Sequence, residues 1–421
     1  MSGAQWRLVA LCFLIVAVDG MDVAIMGFVA PSIIAEWGLT PAAFGVVMGA
    51  APIGLALGAL VAGSSSDWFG RRRVLLGSLL VFGSFTLLTA FASGPSAMAV
   101  LRFLTGLGLG AAMPNTSTLV SEYVPRHSRS AIVATMFTGF NLGSAGIGFI
   151  AAALIPHFGW RSVLELGAIL PLGLFVVLFF LLPESAQLLT VKGAPAERIA
   201  SLLGRVLQID LSGVQQFEVR ESVPVTRQPL AALFSQNYAL RTVTLWITYF
   251  MGLLVIYLST SWLPLMMRNA GMSIAEAAQV TAWFQFGGAI GSVLLGLAMD
   301  RMHPHRAIAA SYLVGSLALL TLSAAGATSS WVALLVGAVG FFLSGSQTGL
   351  NAYAPGCYPT FARATGSSWM LGIGRLGSIL GSSIGGALLA QGWGFGTIFA
   401  ALAIPSAVAG LCMLPTFRLA E

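Results

Sequence analysis

Charged residues are scarce in this sequence of 421 amino acids. Lysine, arginine, aspartate and glutamate together make up only 8% of it, against roughly 25% in soluble globular proteins. A soluble domain of this size needs many more charges to cover its surface, so the deficit excludes a water-soluble globular fold. Hydrophobic residues account for 57% of the chain, and the mean hydropathy is +0.89. The solvent around most of this protein is therefore expected to be lipid.

Lysine and cysteine are also rare, and their rarity narrows the function. Lys192 is the sole lysine, and the glycine-rich loop ending in lysine that holds ATP phosphates is missing. The three cysteines, at positions 12, 357 and 412, lie scattered in apolar segments without the spacing of a metal site or a disulfide. Since the sequence also lacks a nucleophile constellation, it predicts neither an enzyme nor a bound metal or cofactor. A gradient is the expected energy source, although a separate ATPase subunit is compatible with the sequence.

Long apolar runs are what the sequence has in abundance. A membrane-spanning helix needs about 20 apolar residues. Such runs predict an all-α membrane protein with twelve transmembrane helices, near residues 8–30, 42–65, 73–92, 96–119, 131–154, 161–182, 241–264, 277–299, 306–325, 330–353, 367–390 and 394–415.

A polar stretch divides these runs into six and six. The predicted organisation is a six-helix bundle over residues 1–182, a linker outside the bilayer over residues 183–240, and a second six-helix bundle over residues 241–421. Within the linker, residues 196–208 have the pattern of a short amphipathic helix.

The basic residues predict how the chain lies in the membrane. If both termini are cytoplasmic, sixteen of the twenty lysines and arginines fall on the inner side, two fall outside and two lie within the membrane. This distribution follows the positive-inside rule. It also accounts for the net charge of +6 without nucleic acid as a partner.

The two halves carry related segments. GSSSDWFGRRR (63–73) lies between the second and third predicted helices, and GLAMDRMHPHR (296–306) lies between the eighth and ninth. A second pair, 129–146 and 363–380, aligns at an offset of 234 residues and places Asn141 opposite Arg375. Internal repeats of this kind are typical of alternating-access transporters, whose substrate site lies near the membrane midplane between the repeats.

These segments resemble those of the major facilitator superfamily over essentially the whole chain. The resemblance rests on G-x-x-x-D-x-x-G-R-R-R at 63–73, its weaker copy at 296–306, RFLTGLGLG at 102–110, the glycine-rich fifth helix and PES at 183–185. Within the superfamily, D-G-x-D at residues 19–22 resembles the aromatic acid:proton symporter family. That family often has an aromatic residue where this chain has Met21, and this departure leaves the substrate open.

The resemblance implies import of a small aromatic carboxylate with protons across the bacterial inner membrane. Benzoate, hydroxybenzoates and phenylpropionates are the expected kind of substrate, with the lipid bilayer as surroundings and a monomer as the working unit. A transporter of a non-aromatic organic acid and an exporter of apolar compounds are alternatives with the same fold. An intramembrane arginine favours an anion over a neutral or cationic cargo.

Three carboxylates are predicted to couple transport to protons: Asp19, Asp22 and Glu122. Asp19 and Asp22 are three residues apart and share one side of the first helix, where burial and mutual repulsion favour the protonated form of at least one. A structural pair that only bonds neighbouring helices is the alternative. Glu122, at the inner end of the fourth helix, is either a proton exit or a latch with Arg71–Arg73 or Arg129.

Two arginines lie inside the membrane. Arg102, within two turns of the outer end of the fourth helix, either reaches the interface or pairs with Asp19 or Asp22. Arg375 lies deeper, about eight residues into the eleventh helix. Because a guanidinium binds a carboxylate through two parallel hydrogen bonds, Arg375 is predicted to be the main clamp on the substrate.

A ring-shaped ligand needs apolar walls and a few polar contacts. The predicted substrate-binding residues that supply them are Trp246, Tyr249, Phe284, Gln347 and Asn351. Tyr257 is a further candidate for these walls, and an aromatic belt at the outer interface is the alternative for Tyr257 and Trp262. The repeated charged motif is predicted to act in gating, as a latch between the halves, through Asp67, Gly70, Arg71, Arg72, Asp300 and Arg301. Arg161 and Glu165, four residues apart, are expected to pair on the sixth helix.

Overall fold

The structure is a computed structural model that describes residues 1–125, 128–211, 213–214, 216–218, 233–234, 238–358 and 363–414, apart from the side chains at 62–64, 67, 130, 363 and 364. In these ranges the regular structure is helical. The helices of the first half are α1 (Gly3–Trp37), α2 (Pro41–Phe69), α3 (Arg71–Ala90), α4 (Pro95–Tyr123), α5 (Arg129–Phe158) and α6 (Trp160–Leu181). The helices of the linker are α7 (Ala186–Val191) and α8 (Ala196–Leu207). The helices of the second half are α9 (Ala239–Asn269), α10 (Ile274–Arg301), α11 (Pro304–Ala325), α12 (Val332–Tyr353), α13 (Arg363–Ala390) and α14 (Phe395–Cys412), with a 3₁₀ turn at Ala354–Cys357.

Twelve helices of the described chain, α1–α6 and α9–α14, are long and apolar enough to cross a membrane. Their number and their order along the chain confirm the prediction. Most of these helices are longer than the apolar runs from which they are predicted. At 35 residues, α1 is roughly 50 Å long, against a hydrocarbon core of about 30 Å, so its ends extend beyond the apolar layer.

Local sequence signals account for several helix ends. Ser2 and Gln5 form a capping box at the start of α1, and Ser273 and Glu276 form one at the start of α10. Gly38 ends α1 in the left-handed conformation that glycine adopts without strain. These residues bound short connections between helices. Because the connections are short, each membrane helix folds back beside the one before it.

The charged motif at 63–73 lies on helices rather than in a loop. Only Gly70 separates α2 from α3, with φ of 100°, a region that favours glycine. The same correction applies to the second copy, because Asp300 and Arg301 belong to the last turn of α10. A single glycine between two long helices holds the arginines of the first turn of α3 in a defined direction.

The linker contains more helix than its polar composition predicts. Helix α8 matches the predicted amphipathic helix and buries Ile199, Leu202 and Val206, whereas the short α7 was not predicted. The hydroxyl group of Ser2 donates to the carbonyl of Val206 at 2.5 Å. The start of α1 therefore lies on the linker side of the bundle, which we name the linker end.

Helices of each half pack mainly against one another, as α2 with α4 and α9 with α13. The halves meet along α5 with α10, α2 with α13, and α1 with α9. Several of these contacts lie away from the linker end: a side chain at Gly27 would meet the carbonyl of Thr260, and one at Gly386 would meet the carbonyl of Pro41. The halves are therefore in close contact at the end opposite to the linker.

Candidate functional site

Asp22 and Arg102 form a buried ion pair inside the first half. Nη2 of Arg102 lies 2.6 Å from Oδ2 of Asp22, Nη1 lies 3.3 Å from Oδ1, and both side chains are 0% exposed. The hydroxyl group of Thr86 donates to Oδ1 at 2.5 Å. Such geometry and extra bonding are what a buried pair needs to offset its desolvation. The pair joins α1, α3 and α4, and it realises one of the two partners predicted for Arg102.

Arg102 does not extend to the membrane interface. It lies seven residues into α4, roughly 11 Å from the start of the helix, and its guanidinium also donates to the main-chain carbonyl of Asp22 at 3.3 Å. Since its side chain is fully buried, interface anchoring does not describe it.

Asp19 lies in a different environment from Asp22. It is 1% exposed, and its Oδ1 has no hydrogen-bond partner among the described residues. Two charges act on it: Arg375 attracts it and Asp22 repels it. Because Arg375 belongs to α13, this attraction acts between the two halves, whereas the ion pair of Asp22 stays within one.

Helix geometry explains how the two aspartates separate. Positions three residues apart on an α-helix differ by about 60° around the axis, so they adjoin without coinciding. Gly20 fixes the rotation of α1, because any side chain there would collide with the main chain of Phe140 on α5. Ser144 on α5 donates to the carbonyl of Gly20 at 2.7 Å. This contact leaves Asp22 facing α3 and α4 and Asp19 facing α13.

Arg375 lies among tyrosine side chains of α9. Tyr257 and Tyr249 both lie in the field of its guanidinium. The ring of Tyr249 packs against Gly374, where a side chain would collide with it. Tyr257 lines a cavity between the halves, which favours a place in the wall of the site over the outer aromatic belt. Trp262 is 0% exposed and donates to the carbonyl of Ser382 at 2.7 Å, so the prediction that it belongs to the belt is wrong.

Gln347 and Asn351 continue this polar region on α12. Both side chains adjoin Tyr249. Gln347 is buried and Asn351 is exposed, and Oε1 of Gln347 accepts a hydrogen bond from Tyr312 at 2.9 Å. Three of the predicted substrate-binding residues on the second half, namely Tyr249, Gln347 and Asn351, thus lie together near Arg375.

A small cavity of about 30 Å³ lies between the halves. A volume of this size has room for a water molecule or two and is far smaller than the roughly 300–1,000 Å³ of small-molecule sites. The residues that line it come from α1, α2 and α4 on one side and α9 and α13 on the other, and include Met26, Met48, Pro52, Arg102, Tyr257 and Ser382. Its walls are apolar apart from a few polar groups.

Of the predicted binding residues, Arg102 alone is among those that line this cavity, and Trp246 and Phe284 also lie apart from the polar region beside Arg375. Trp246 is half-buried, its indole N–H is without a hydrogen-bond partner in the described chain, and its ring stacks on Trp369 with centroids 5.8 Å apart. Phe284 is 1% exposed, and its main chain packs against Gly340 of α12. Their contact with a substrate stays a prediction.

Glu122 belongs to a polar cluster at the linker end. It pairs with Arg71, and its Oε2 accepts a hydrogen bond from Ser185 at 2.6 Å. Arg71 also donates to Ser185 at 2.8 Å. Oε1 of Glu184 accepts from the backbone N–H groups of Arg72 and Ser185 at 3.1 and 2.9 Å, which places a carboxylate at the start of α3. The predicted latch partner of Glu122 is thus Arg71.

The partners named above for this cluster belong to the first half or to the segment that follows it. The guanidinium of Arg72 donates to the carbonyl of Phe179 on α6, and the side chain of Asp67 lies outside the described residues. Asp300 and Arg301 are exposed at the end of α10. A latch that acts directly between the halves through these residues stays a prediction.

Sequence reasoning missed three contributors to these clusters. Thr86 bonds Asp22, Tyr312 bonds Gln347, and Ser185 bridges Glu122 and Arg71. Ser185 stood in the PES motif, which was an available signal. A single threonine or tyrosine in an apolar run carries no such signal, because its partner comes from a helix distant in the sequence.

Comparisons with known proteins show which family the chain belongs to. The sequence matches the model of the Major Facilitator Superfamily over residues 12–273 and 245–421. The chain belongs to the major facilitator superfamily. It is a multi-pass membrane transporter and not an enzyme, as predicted.

Two relatives and one solved structure are similar to this chain over nearly its whole length. The chain is 51% identical to a gallate transporter of Pseudomonas putida, covering 97% of this chain and 91% of the relative. It is 46% identical to a 4-hydroxybenzoate transporter of Pseudomonas aeruginosa, covering 98% and 93%. The xylose transporter XylE from E. coli, in a partially occluded inward-open conformation, matches with a TM-score of 0.77 at 17% identity over 98% of both chains. The likeness confirms the predicted fold, and the relatives confirm the resemblance to transporters of aromatic acids.

Proposed function

We propose that the protein imports a small aromatic carboxylate together with protons by alternating access in the bacterial inner membrane. Benzoates, hydroxybenzoates and phenylpropionates define the substrate class, and both termini face the cytoplasm. The substrates named for the relatives, gallate and 4-hydroxybenzoate, support an aromatic acid over the alternatives of a non-aromatic acid or an exported apolar compound. The tyrosines around Arg375 support it as well, since they offer ring faces beside a cation.

The observation that carries the proposal is the placement of Asp19, a carboxylate that is 1% exposed, keeps Oδ1 without a hydrogen-bond partner among the described residues, and lies in the field of Arg375 from the other half. An ionised Asp19 partly neutralises Arg375 and disfavours a second anion beside it. When Asp19 takes up a proton, the guanidinium is left with its positive charge uncompensated and can bind the carboxylate of the substrate through a fork of hydrogen bonds. One proton thereby accompanies one carboxylate, which couples the two fluxes.

The remaining residues have supporting roles in this proposal. Asp22 and Arg102 hold α1 against α3 and α4, so that Asp19 keeps its direction. Glu122 and Arg71 close the linker end of the first half and open as the halves rock, which favours the latch over a proton exit for Glu122. The substrate binds beside Arg375, near the boundary between the halves.

The test is uptake of radiolabelled 4-hydroxybenzoate and benzoate into proteoliposomes with an inward proton gradient. Uptake by the natural protein is expected to increase as the external pH falls and to collapse with an uncoupler. Asp19→Asn is expected to lose accumulation against a gradient while it retains exchange between labelled and unlabelled substrate, because the amide keeps the shape and removes the titrating group.

Glu165→Gln is the matched control, since it removes a carboxylate from α6 away from the site. It is expected to accumulate substrate like the natural protein. If the natural protein's uptake ignores the uncoupler, symport is wrong. If Asp19→Asn accumulates substrate normally, Asp19 is not the coupling group.

A further inference from the structure

A groove lies between α3 and α4 of the first half. Its volume is about 280 Å³, and the residues that line it include Val74, Gly77, Val81, Leu107 and Ala111. The halves meet mainly along α1, α2 and α5 with α9, α10 and α13, so the groove lies outside their boundary. Since α3 and α4 cross the membrane, the groove opens towards lipid.

The walls of the groove are apolar. Ser78 is the polar residue among those that line it, and its hydroxyl group already donates to the carbonyl of Gly108 at 2.6 Å. Apolar walls lose dispersion contacts wherever no apolar group lies against them, and water does not occupy such a space favourably. A hydrocarbon chain matches these walls.

Two glycines give the groove its floor and its opening. At Gly108 of α4, a side chain would collide with the backbone nitrogen of Phe82, so the two helices are in closest contact there. At Gly77 of α3, a side chain would meet no atom within 4 Å. Glycine inside a helix is destabilising relative to alanine, and neither packing nor a positive φ requires it at position 77. What the absent side chain does is keep the groove open.

A cation flanks the groove at the linker end. Arg73 lies one turn before Gly77 on the same side of α3. Arg71 pairs with Glu122 and Arg72 donates to a carbonyl of α6, whereas Arg73 is exposed. A guanidinium binds a phosphate group through two parallel hydrogen bonds. Arg73 is therefore placed to bind an anionic group at the mouth of the groove.

Trp68 indicates the level of Arg73 in the membrane. It is 81% exposed near the end of α2, and its carbonyl accepts a hydrogen bond from Lys192 of the linker at 2.8 Å. Exposed tryptophan is typical of the headgroup level, and Arg73 follows within the first turn of α3. From Val74 to Val81 the groove then extends roughly 11 Å into the apolar layer. A cation at headgroup level above an apolar groove matches the two parts of a phospholipid.

We propose that the groove between α3 and α4 binds one anionic phospholipid, whose phosphate contacts Arg73 and one of whose acyl chains lies along Gly77. The site is separate from the region beside Arg375 and does not depend on the proposed function. An anionic headgroup is favoured over a zwitterionic one, because a choline group would bring a second positive charge close to Arg73.

A chain at this position contacts both helices that hold the buried ion pair. Thr86 of α3 and Arg102 of α4 both bond Asp22. A ligand that binds the folded protein stabilises it by mass action, and a chain that packs on α3 and α4 stabilises their association. The lipid thereby supports the helices on which the pair depends.

The experiment is a native mass spectrometry titration of the full chain in detergent with dioleoylphosphatidylglycerol and with dioleoylphosphatidylcholine. The natural protein is expected to bind one phosphatidylglycerol saturably and phosphatidylcholine about tenfold more weakly. Arg73→Gln is expected to raise the Kd for phosphatidylglycerol about tenfold, the equivalent of one charge-assisted hydrogen bond. Gly77→Leu is expected to abolish saturable binding, because the leucine side chain takes the place of the acyl chain.

Each variant has a matched control. Gly173 of α6 is also an exposed helical glycine whose side chain would meet no atom within 4 Å, so Gly173→Leu is expected to bind like the natural protein. Arg7 is an exposed arginine near the start of α1 at the linker end, and Arg7→Gln is expected to leave the Kd unchanged. Should Gly77→Leu fail to fold, Arg73→Gln tests the site alone, since its side chain is exposed.

Three results would overturn the proposal. Equal affinity of the natural protein for the two lipids would remove the anionic headgroup. Unchanged binding in Gly77→Leu, or an equal loss in Gly77→Leu and Gly173→Leu, would remove the groove. A natural protein that is dimeric in detergent and becomes monomeric with Gly77→Leu would identify a second copy of the chain, and not a lipid, as the occupant.

Discussion

Asp19 and Asp22 are identical residues one turn apart on α1, yet their surroundings differ in kind. Asp22 is sealed within the first half by Arg102 and Thr86, and both of its oxygens are bonded. Asp19 faces Arg375 across the boundary between the halves and keeps one oxygen without a partner in the described chain. The first arrangement suits a brace and the second suits a group that changes its protonation state as the halves separate.

The difference shows what a carboxylate needs in order to couple motion to protons. A pair inside one rigid bundle keeps its geometry when the bundles rock, so its energy is the same in both states. A pair across the boundary gains or loses its partner with the motion, and a ligand or proton that binds one state better shifts the equilibrium. Location relative to the boundary between the halves, and not residue type, separates the two aspartates.

The largest expected effect comes from breaking the sealed pair. Asp22→Asn leaves Arg102 charged and fully buried without a counter-ion, and removal of one partner of a buried pair typically costs about 3–5 kcal/mol of folding free energy. We expect a clearly lower midpoint of thermal unfolding in detergent. Asp19→Asn is expected to change the midpoint little, because Asp19 has no close ion pair.

The double variant Asp22→Asn with Arg102→Leu sharpens this comparison. It removes both charges, so it is expected to recover part of the stability that Asp22→Asn loses. A double variant no more stable than the single one would contradict the assignment of this pair as a brace.

An intermediate effect is expected from Arg375→Lys. The lysine keeps the positive charge that attracts Asp19 but loses the planar fork that binds a carboxylate through two bonds. The KM for 4-hydroxybenzoate is expected to increase about tenfold, the equivalent of one charge-assisted hydrogen bond, with little change in the thermal midpoint. An unchanged KM would remove Arg375 from the substrate site.

The smallest effect is expected at the third ion pair. Glu36 and Arg161 are 2.9 Å apart and each is 43% exposed. Exposed pairs contribute about 0–1 kcal/mol, so Glu36→Gln is expected to alter neither the thermal midpoint nor uptake measurably. A large loss of stability in this variant would show that the exposure of an ion pair does not determine how much the pair stabilises the fold.

The membrane spans and the charged motif at 63–73 differ in how well the sequence predicts them. Twelve spans, the linker and α8 were predictable because a period or a length is a local property of the chain. The helix boundaries were less predictable, because an apolar run ends where charged residues begin, whereas a helix such as α1 continues beyond the apolar layer. The motif at 63–73 was assigned to a loop because its charges suggest solvent, whereas Gly70 alone makes the turn.

Pairing partners were harder to predict. Arg161 was expected to pair with Glu165 at helical spacing, but the structure pairs it with Glu36, which also accepts a hydrogen bond from Trp160 at 2.6 Å. That prediction was wrong because the tertiary packing of α1 on α6 brings a carboxylate within reach in a better direction. For Glu122, by contrast, the predicted partner Arg71 is present.

The sequence by itself determined the membrane environment, the number of spans, the repeat of the halves and the candidate functional residues. Hydropathy, spacing and intramembrane charge are local properties that can be read directly from the order of the amino acids. Only the tertiary structure decided which aspartate is sealed by Arg102 and which faces Arg375. Two positions three residues apart point about 60° away from each other. The approach of α5 to Gly20 sets the rotation that turns one aspartate into the first half and the other towards the boundary between the halves.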